Sequence, residues 1–440
     1  MLKRTFNQLS LFSSLEDMLN HNHPLYKLAN KINWRRFEDS FSPLYCRTNG
    51  RPAHPIRLMC GLLILKHVRN ISDESVVLQW SENAYYQYFC GQLEFLPKEP
   101  CEASDLVHFR NRIGEQGIEI ILAESIRVNT DNDDEDHFGT AFIDSTVQQK
   151  NITYPTDAKL HKKIISRVLK IVREKRLPLR QSYRRTLKKI SPDQRFRNHP
   201  KNHKKAVKAD RSLRTIAGRL VREPDRNLPD KRGYEKMFEI FYKILSQKRN
   251  SPDKIYSLHE PEVQCIGKGK EHKKYEFGNK ASFIRSFSGI ILAAVSFRNE
   301  YDGHTIEATL QQMERMTGRC VDNLAGDRGY REIKQVGTTK ILIPESPKHK
   351  DGYYQKKKKH KLFCKRAGIE PAIGHLKSDY RLSRNFYKGV KGDAINIMLA
   401  AAAYNFKRAM RVLLWIIKII CEKLKGSNFS QEYAFAKGNE

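Results

Sequence analysis

Three carboxylate side chains stand in sequence contexts that suit metal-dependent phosphodiester chemistry. Asp144 follows the apolar run 140–143 and Asp327 follows the run 321–326, and both runs have the composition of β-strands. A carboxylate at the end of a buried strand is held on rigid backbone, which a metal site requires. With Glu370, expected on a helix, the two aspartates could hold a pair of divalent ions. Ligation by oxygen alone selects hard ions, so we expect Mg²⁺, with Mn²⁺ as a substitute.

The residues around Glu370 are spaced for one face of a helix. Arg366, Glu370 and Lys377 follow Phe363 at offsets of three, seven and fourteen residues, which places all four side chains on one helical face. A solvated salt-bridge stripe has the same pattern, so the spacing alone leaves both interpretations open. Pro371 adds another possibility, because proline prefers the first turn of a helix. If a helix begins only near Pro371, Phe363 and Arg366 leave the shared face.

At these residues the sequence resembles the DDE transposases of bacterial insertion sequences. The spacing Phe363-x2-Arg366-x3-Glu370-x6-Lys377 is similar to that superfamily's Tyr-Arg-Glu-Lys signature, with phenylalanine in place of tyrosine. The resemblance favours the insertion-sequence-five group, covers most of residues 45–408 and is weakest between about 157 and 250. It extends through the segments IDSTV at 143–147, HEPEVQCIGKGKEHKKYEFGNKASF at 259–283, LAGDRGYRE at 324–332 and IEPAIGHLKSDYRLSRNFYKG at 369–389.

This resemblance implies an activity and a set of residues. It implies metal-dependent cleavage at the terminal inverted repeats of a mobile element and joining of the ends to target DNA, with Asp144, Asp327 and Glu370 as the catalytic and metal-binding residues. Two element ends must be brought together, so it also implies at least a homodimer on double-stranded DNA. The departure at Phe363 removes one hydroxyl that could bond a phosphate. The expected DNA contacts are Arg366, Lys377, Phe363 and Arg328, together with His375 and Arg381, for which a plain surface role is equally compatible with the sequence.

The composition points to a polyanionic partner inside the cell. A net charge of +32, from 81 Lys and Arg against 49 Asp and Glu, exceeds what solubility needs, and nucleic acid is the leading partner. Eight cysteines without a CxxC pair argue against a zinc ribbon or a disulfide framework and fit a reducing cytoplasm. We recognise no signal peptide, and Lys407, Arg408 and Arg411 interrupt the apolar C-terminal stretch, so no membrane span is expected.

The predicted fold is α/β. Strands are predicted at 274–283, 289–297, 321–326 and 340–343, with a helix at 304–316. The resemblance implies an RNase H-like mixed sheet with flanking helices, in which the strands carrying the two aspartates are neighbours. An all-helical N-terminal domain precedes the sheet and a basic helical insertion interrupts it. The expected domains are 1–135 (helical, DNA-binding or dimerising), 136–156 with 251–410 (catalytic), 157–250 (insertion) and 411–440 (C-terminal helix and tail), with the acidic run 131–136 as a linker.

The helical parts carry several open interpretations. Helices beginning at Pro55, after Ser72 and at Ser104 form either a helix-turn-helix unit or an ordinary bundle, and the aromatic residues of 85–89 either stack on bases or pack in the core. Residues 157–222 hold 23 Lys and Arg against 4 Asp and Glu, a density that favours contact with a phosphate backbone. Within the insertion we expect basic helices joined by mobile loops, without a compact core around 191–211. Residues 356–360 are predicted to form a basic loop.

Other carboxylates and other functions compete with this hypothesis. Glu300, Asp302 and His304 follow a predicted strand, but Asp302 more plausibly organises the start of the next helix. Glu332 and Asp379 lie near the motifs and are weaker candidates. A catalytically inactive DNA-binding protein derived from a transposase would share the basic charge, although it has no need for all three carboxylates. A related metal-dependent nuclease would cut DNA without joining it.

Overall fold

The computed structural model describes residues 14–46, 52–130, 137–248, 250–267, 274–331, 333–343 and 348–436. These residues form two compact units. The first comprises Met1–Gln148, Lys280–Tyr387 and Lys391–Glu440, and the second comprises Gln149–Asn279 and Lys388–Val390. No helix among the described residues is long and apolar enough to span a bilayer.

The first unit begins with helices, as predicted. The N-cap Ser72 accepts a hydrogen bond from the backbone N–H of Ser75, and Gly114, with φ of 59°, kinks the last and longest of these helices. Gly61 allows a close helix contact, because a Cβ at this position would lie 2.6 Å from Sγ of Cys90. The helices are α1 (Leu15–Met18), α2 (Pro24–Lys31), α3 (Trp34–Phe41), α4 (Ile56–Val68), α5 (Asp73–Glu82), α6 (Ala84–Phe89) and α7 (Ala103–Thr130).

The aromatic side chains of 85–89 pack within the protein. Tyr86 and Phe89 are buried, Tyr85 stacks on His23 with ring centroids 3.9 Å apart, and Tyr88 stacks on Tyr26 at 4.5 Å. The packing interpretation is therefore confirmed, and the structure offers no support for base stacking at these positions.

The sheet is mixed, as the resemblance implied. In the first unit the order is β4-β3-β1-β5-β7-β6, and β8 also pairs with β1. Strand β1 is parallel to β5, and β5 is parallel to β7, whereas β3 and β4 are antiparallel. The strands are β1 (Thr140–Lys150), β2 (Gln264–Gly267), β3 (Tyr275–Ser286), β4 (Ile291–Phe297), β5 (Asn323–Ala325), β6 (Gln335–Val336), β7 (Thr339–Leu342) and β8 (Arg384–Asn385).

Three further helices of the first unit are α12 (Ile306–Thr317), α13 (Tyr353–Ala367) and α14 (Ile369–Asp379), and α15 (Gly389–Ala436) belongs to it from Lys391 onward. Helix α15 is fixed to the sheet by buried Asn405, whose side-chain amide accepts from the N–H of Ile291 and donates to its carbonyl, both at 2.9 Å. One apolar core runs through the N-terminal helices and the sheet. The predicted boundary at 131–136 lies outside the described residues, so the division into these domains stays a prediction.

Two expectations about the first unit were wrong. Asp144 does not end a strand, since β1 continues to Lys150. The sequence does not reveal this continuation, because its side chains do not alternate clearly between polar and apolar as in a half-buried strand. The expected basic loop at 356–360 is part of helix α13. Lysine has a favourable helix propensity, and a helix without a buried apolar face leaves no periodic signal in the sequence.

The second unit is mainly helical and contains the insertion 157–250. It contains α8 (Asp157–Glu174), α9 (Arg184–Asp193), α10 (Pro200–Asn227) and α11 (Glu235–Ser246), and at its base β2 pairs antiparallel with residues 275–278 of β3. The amphipathic pattern predicted for α8 is confirmed, since Ile164, Ile165 and Val168 are buried.

The expectation that residues 191–211 lack a compact core holds for 191–205, where no side chain is buried, but fails for the part of α10 that follows. Pro200 occupies the first turn of α10, where proline is favoured, and does not break the chain into loops. Ala206 and Ala209 on the same helix are buried, and Ala209 belongs to the unit's own apolar core. Small side chains at these positions let the helix approach its neighbours despite the cations around them.

Candidate active site

Two parallel strands bring Asp144 and Asp327 to the same edge of the sheet. Phe142 of β1 lies opposite Ala325 of β5, and each aspartate follows its paired residue by two positions. Because the strands run in the same direction, both carboxylates leave the sheet at the carboxyl edge of β5. This confirms that the strands carrying the two aspartates are neighbours.

The segment around Asp327 needs two glycines. A Cβ on Gly326 would lie 2.7 Å from the ring of buried Tyr330, and one on Gly329 would lie 3.0 Å from Oδ1 of Asp327 and 3.2 Å from Oδ2 of Asp302. The N–H of Gly329 donates a 2.8 Å hydrogen bond to Oδ1 of Asp327 and so begins a short 3₁₀ turn. The carboxylate is therefore oriented by its own loop.

Glu370 lies in the first turn of α14, and Arg366 lies at the end of α13. Gly368 separates the two helices, so the possibility that a helix begins close to Pro371 is confirmed. Arg366 nevertheless faces the carboxylates. Its guanidinium nitrogens lie 3.9 Å from Oδ2 of Asp144 and 3.7 Å from Oε1 of Glu370.

The electrostatics of Asp144 link all three acids. The pKa of this carboxyl is raised to about 6, mainly by burial and also by the negative charges of Asp327 and Glu370, although the N–H of Ser145 and the Arg366 guanidinium act to lower it. Three carboxylates with one nearby cation form an oxygen-only donor set in which a divalent ion would relieve repulsion. The residues therefore suit Mg²⁺ or Mn²⁺ chemically.

The carboxylates are not in ligand geometry. Among the described residues, no three His, Cys, Asp or Glu side chains are placed so that they could hold a metal ion. The three acids influence one another at longer range, and Arg366 lies near both Asp144 and Glu370.

A fourth carboxylate reaches this site. The hydroxyl of Ser145 donates a 2.5 Å hydrogen bond to Oδ1 of Asp302, and Lys280 donates to the same oxygen at 3.1 Å. Asp302 does stand at the start of the 3₁₀ turn Gly303–Thr305, where its backbone carbonyl accepts from Thr305, but its side chain makes no capping hydrogen bond there. The expected capping role is therefore not what its carboxylate does. Glu300, in contrast, lies 3.6 Å from His304.

Lys280 was not among the residues that the sequence patterns pointed to. The sequence indicated Lys280 only through its place within the segment 259–283. Its partner Asp302 lies 22 positions along the chain, and the contact between them depends on the pairing of β3 with β4.

The other expected DNA contacts lie in varied settings. His375 is exposed and its Nδ1 lies 2.8 Å from Oδ2 of Asp379, while the guanidinium of Arg381 lies 5.7 Å from the centre of the Phe386 ring. Arg328 is exposed, Lys377 is half-buried, and the side chain of Phe363 lies outside the described residues. Of this group, Arg366 is the residue whose contacts with the carboxylates the structure shows.

Comparisons with known proteins match two parts of this chain to transposase families. The family model "Transposase domain (DUF772)" matches residues 13–112, and the model "Transposase DDE domain" matches residues 248–406. The second match includes Asp327 and Glu370 and begins near the end of the insertion, so Asp144 lies outside it. The "Uncharacterized protein ORF8 in nfe locus" of Rhizobium meliloti is 39% identical over 179 residues, which are 40% of this chain and 86% of that protein. No solved structure matches the chain.

Proposed function

Because the chain belongs to the transposases with a DDE domain, which are polynucleotidyl transferases, we propose that it cuts DNA at the terminal inverted repeats of an insertion sequence and joins those ends to target DNA. The parallel pairing of β1 with β5 carries this proposal, because it brings Asp144 and Asp327 to one edge of the sheet. We also propose that it belongs to the insertion-sequence-five group, on the spacing of Phe363, Arg366, Glu370 and Lys377.

Asp144, Asp327 and Glu370 would hold the divalent ions, Mg²⁺ or in its place Mn²⁺. When bound, the ions supply activation of a water or 3′-hydroxyl and stabilisation of the leaving oxygen. Asp144 and Asp327 contribute rigid positions, because one lies within a strand and the other is held by the N–H of Gly329. Glu370 is more exposed, at 63% of its side chain, and lies on the solvent side of the site.

Arg366 is proposed to contact a DNA phosphate. Its side chain is only 19% exposed and lies between carboxylates, whose mutual repulsion its charge offsets. A planar guanidinium presents two donors suited to phosphate oxygens. Further phosphate contacts are proposed for Lys377, Arg328, His375 and Arg381, and a packing contact with DNA for Phe363. The protein is proposed to act as a homodimer on double-stranded DNA, in the bacterial cytoplasm near the nucleoid.

A strand-transfer assay tests this function. Purified protein is incubated with Mg²⁺, a labelled duplex ending in the element's terminal repeat and a supercoiled target plasmid. We expect cleaved ends and labelled plasmid. Cleaved ends without labelled plasmid would identify a nuclease, and binding without either product would identify an inactive DNA-binding relative.

A further inference from the structure

The second unit contains a groove that the proposed chemistry does not use. Residues of α8 and α11 form its two sides, and its volume is about 910 Å³. The cationic lining consists of Lys163, Arg167 and Lys170 on α8, Lys236 on α11, and Lys388. Among the described residues that line the groove there is no Asp or Glu, although Glu174 lies 3.6 Å from Lys170 on the exposed side of α8.

The three α8 cations share one face of the helix. Lys163, Arg167 and Lys170 are four and three positions apart, whereas Ile164, Val168 and their neighbours on the other face are buried in the unit's core. Seven residues of helix span about 10 Å. One strand of duplex DNA passes about three phosphates over a similar length, at about 3.4 Å of rise per phosphate. The cation row therefore extends over about three phosphate steps of one strand, with a cation about every 5 Å of helix axis.

Two separate segments of the chain are tied together at this groove. His259 and Lys388 both line it, and they belong to the segments 259–283 and 369–389 singled out in the sequence. Buried Glu260 joins these segments, because it accepts from the N–H of Gly389 at 3.0 Å and lies 3.3 Å from Nζ of Lys150. Lys388 is thus held at the groove by a buried polar contact with its neighbouring residue.

A contrasting cavity in the same unit shows that not every concave surface here is purely cationic. The cavity of about 390 Å³ beside His161 is lined by Asp157 and Asp210 as well as by arginines, and Asp157 and Asp210 form ion pairs with Lys254 and Arg197. The groove between α8 and α11 has no carboxylate among its described lining residues, and the partner of Lys170, Glu174, lies outside that lining. Unneutralised lysines and arginines in a groove attract a polyanion.

From this charge, spacing and anchoring we infer that the groove between α8 and α11 binds the phosphodiester backbone of double-stranded DNA. The inference deepens the proposed function and rests on it for the identity of the polyanion. Backbone contacts position DNA without reading its sequence, so this surface should serve terminal-repeat and unrelated DNA alike.

The test compares two triple variants of the full chain that remove equal charge. The groove variant carries Arg167→Gln, Lys236→Gln and Lys388→Gln, all at exposed positions. The control variant carries Arg185→Gln, Lys188→Gln and Lys189→Gln on α9, also exposed and outside the groove. Binding to a labelled mixed-sequence duplex is measured with EDTA present over a series of salt concentrations, and circular dichroism checks that both variants fold.

We expect the slope of log affinity against log salt concentration to fall by about 0.9 for each phosphate that the groove variant no longer neutralises, and the control slope to stay near wild type. Equal slopes for the groove variant and wild type, or equal reductions in both variants, would overturn the inference. If wild-type protein binds DNA in a salt-dependent way but neither cuts nor joins it, the proposed function is contradicted while the inference about the groove still holds. No salt-dependent binding by wild type would overturn both.

Discussion

The hydroxyl of Ser145 donates a 2.5 Å hydrogen bond to Oδ1 of Asp302, and this contact joins β1, one residue beyond Asp144, to the segment that begins the helix after β4. The other carboxylate oxygen of Asp302 faces Gly329 in the Asp327 loop. Asp302 thus lies between the backbone segments that carry the two aspartates.

Ser145→Ala should therefore slow DNA cleavage with little effect on DNA binding. Hydrogen bonds to charged groups contribute about 1.5–3 kcal/mol, so a decrease of about 10- to 100-fold in cleavage rate is expected if that energy holds the aspartates in place. The rate is measured with saturating DNA in a single turnover. Ser81→Ala is the control, because this hydroxyl donates to a carbonyl within α5. Equal rates for Ser145→Ala and wild type would show that this hydrogen bond does not position the aspartates.

Gly329→Ala should reduce cleavage through sterics alone. Its Cβ would lie 3.0 Å from Oδ1 of Asp327 and 3.2 Å from Oδ2 of Asp302, so one carboxylate or the loop must shift. A displacement of this kind costs catalysis more than stability, because the site needs its ligands within about 0.5 Å of the productive geometry. Gly352→Ala is the matched control, since nothing lies within 4 Å of a Cβ there. A Gly329→Ala protein with the wild-type cleavage rate would show that the loop tolerates the methyl group.

His67 should make folding stability depend on pH. It is fully buried in α4, and burial, followed by the nearby charge of Lys66, lowers its pKa to about 3. In the unfolded chain its pKa returns to about 6.5, so the unfolded state binds the proton first as pH falls. The free energy of unfolding therefore decreases as pH drops below about 6.5, by about 1.4 kcal/mol per pH unit, until the pH nears the folded-state pKa.

Urea denaturation of wild type and His67→Gln at about pH 7 and about pH 5 checks this expectation. The wild type should lose about 2 kcal/mol more than the variant between these two values. The same pH dependence in both proteins would mean that another group is responsible.

The sequence identified the elements of the site better than it identified their geometry. The strands before Asp144 and Asp327 were predictable because apolar runs precede both residues, and the resemblance to the DDE transposases implied that these strands are neighbours. The continuation of β1 to Lys150 was not, since Ser145, Gln148 and Gln149 interrupt the alternation that marks a half-buried strand. The break at Gly368 was indicated by Pro371, yet only the fold shows that Arg366 still reaches Asp144 and Glu370 across it.

The sequence pattern could not predict contacts between segments that are distant along the chain. The sequence predicts a helix-start role for Asp302. Its hydrogen bonds to Ser145 of β1 and Lys280 of β3 depend on how the sheet brings those strands to the segment that follows β4. The sequence predicts helices in the second unit but not the burial of Ala206 and Ala209 on α10. These small side chains lie among many cations, so the residues around 191–211 carry little hydrophobic signal.

The most direct test of the proposed active site is single-turnover cleavage of labelled terminal-repeat DNA in Mg²⁺ by Asp144→Asn, Asp327→Asn and Glu370→Gln, with binding measured in parallel. Each change removes a charge from the metal-binding set, which is worth several kcal/mol, so each rate should fall by at least about 100-fold while DNA binding is retained. Asp322→Asn is the control, because Asp322 is exposed and immediately precedes β5, at the end of that strand opposite Asp327. Cleavage near the wild-type rate by any one of the three variants would contradict the assignment of that residue to the active site.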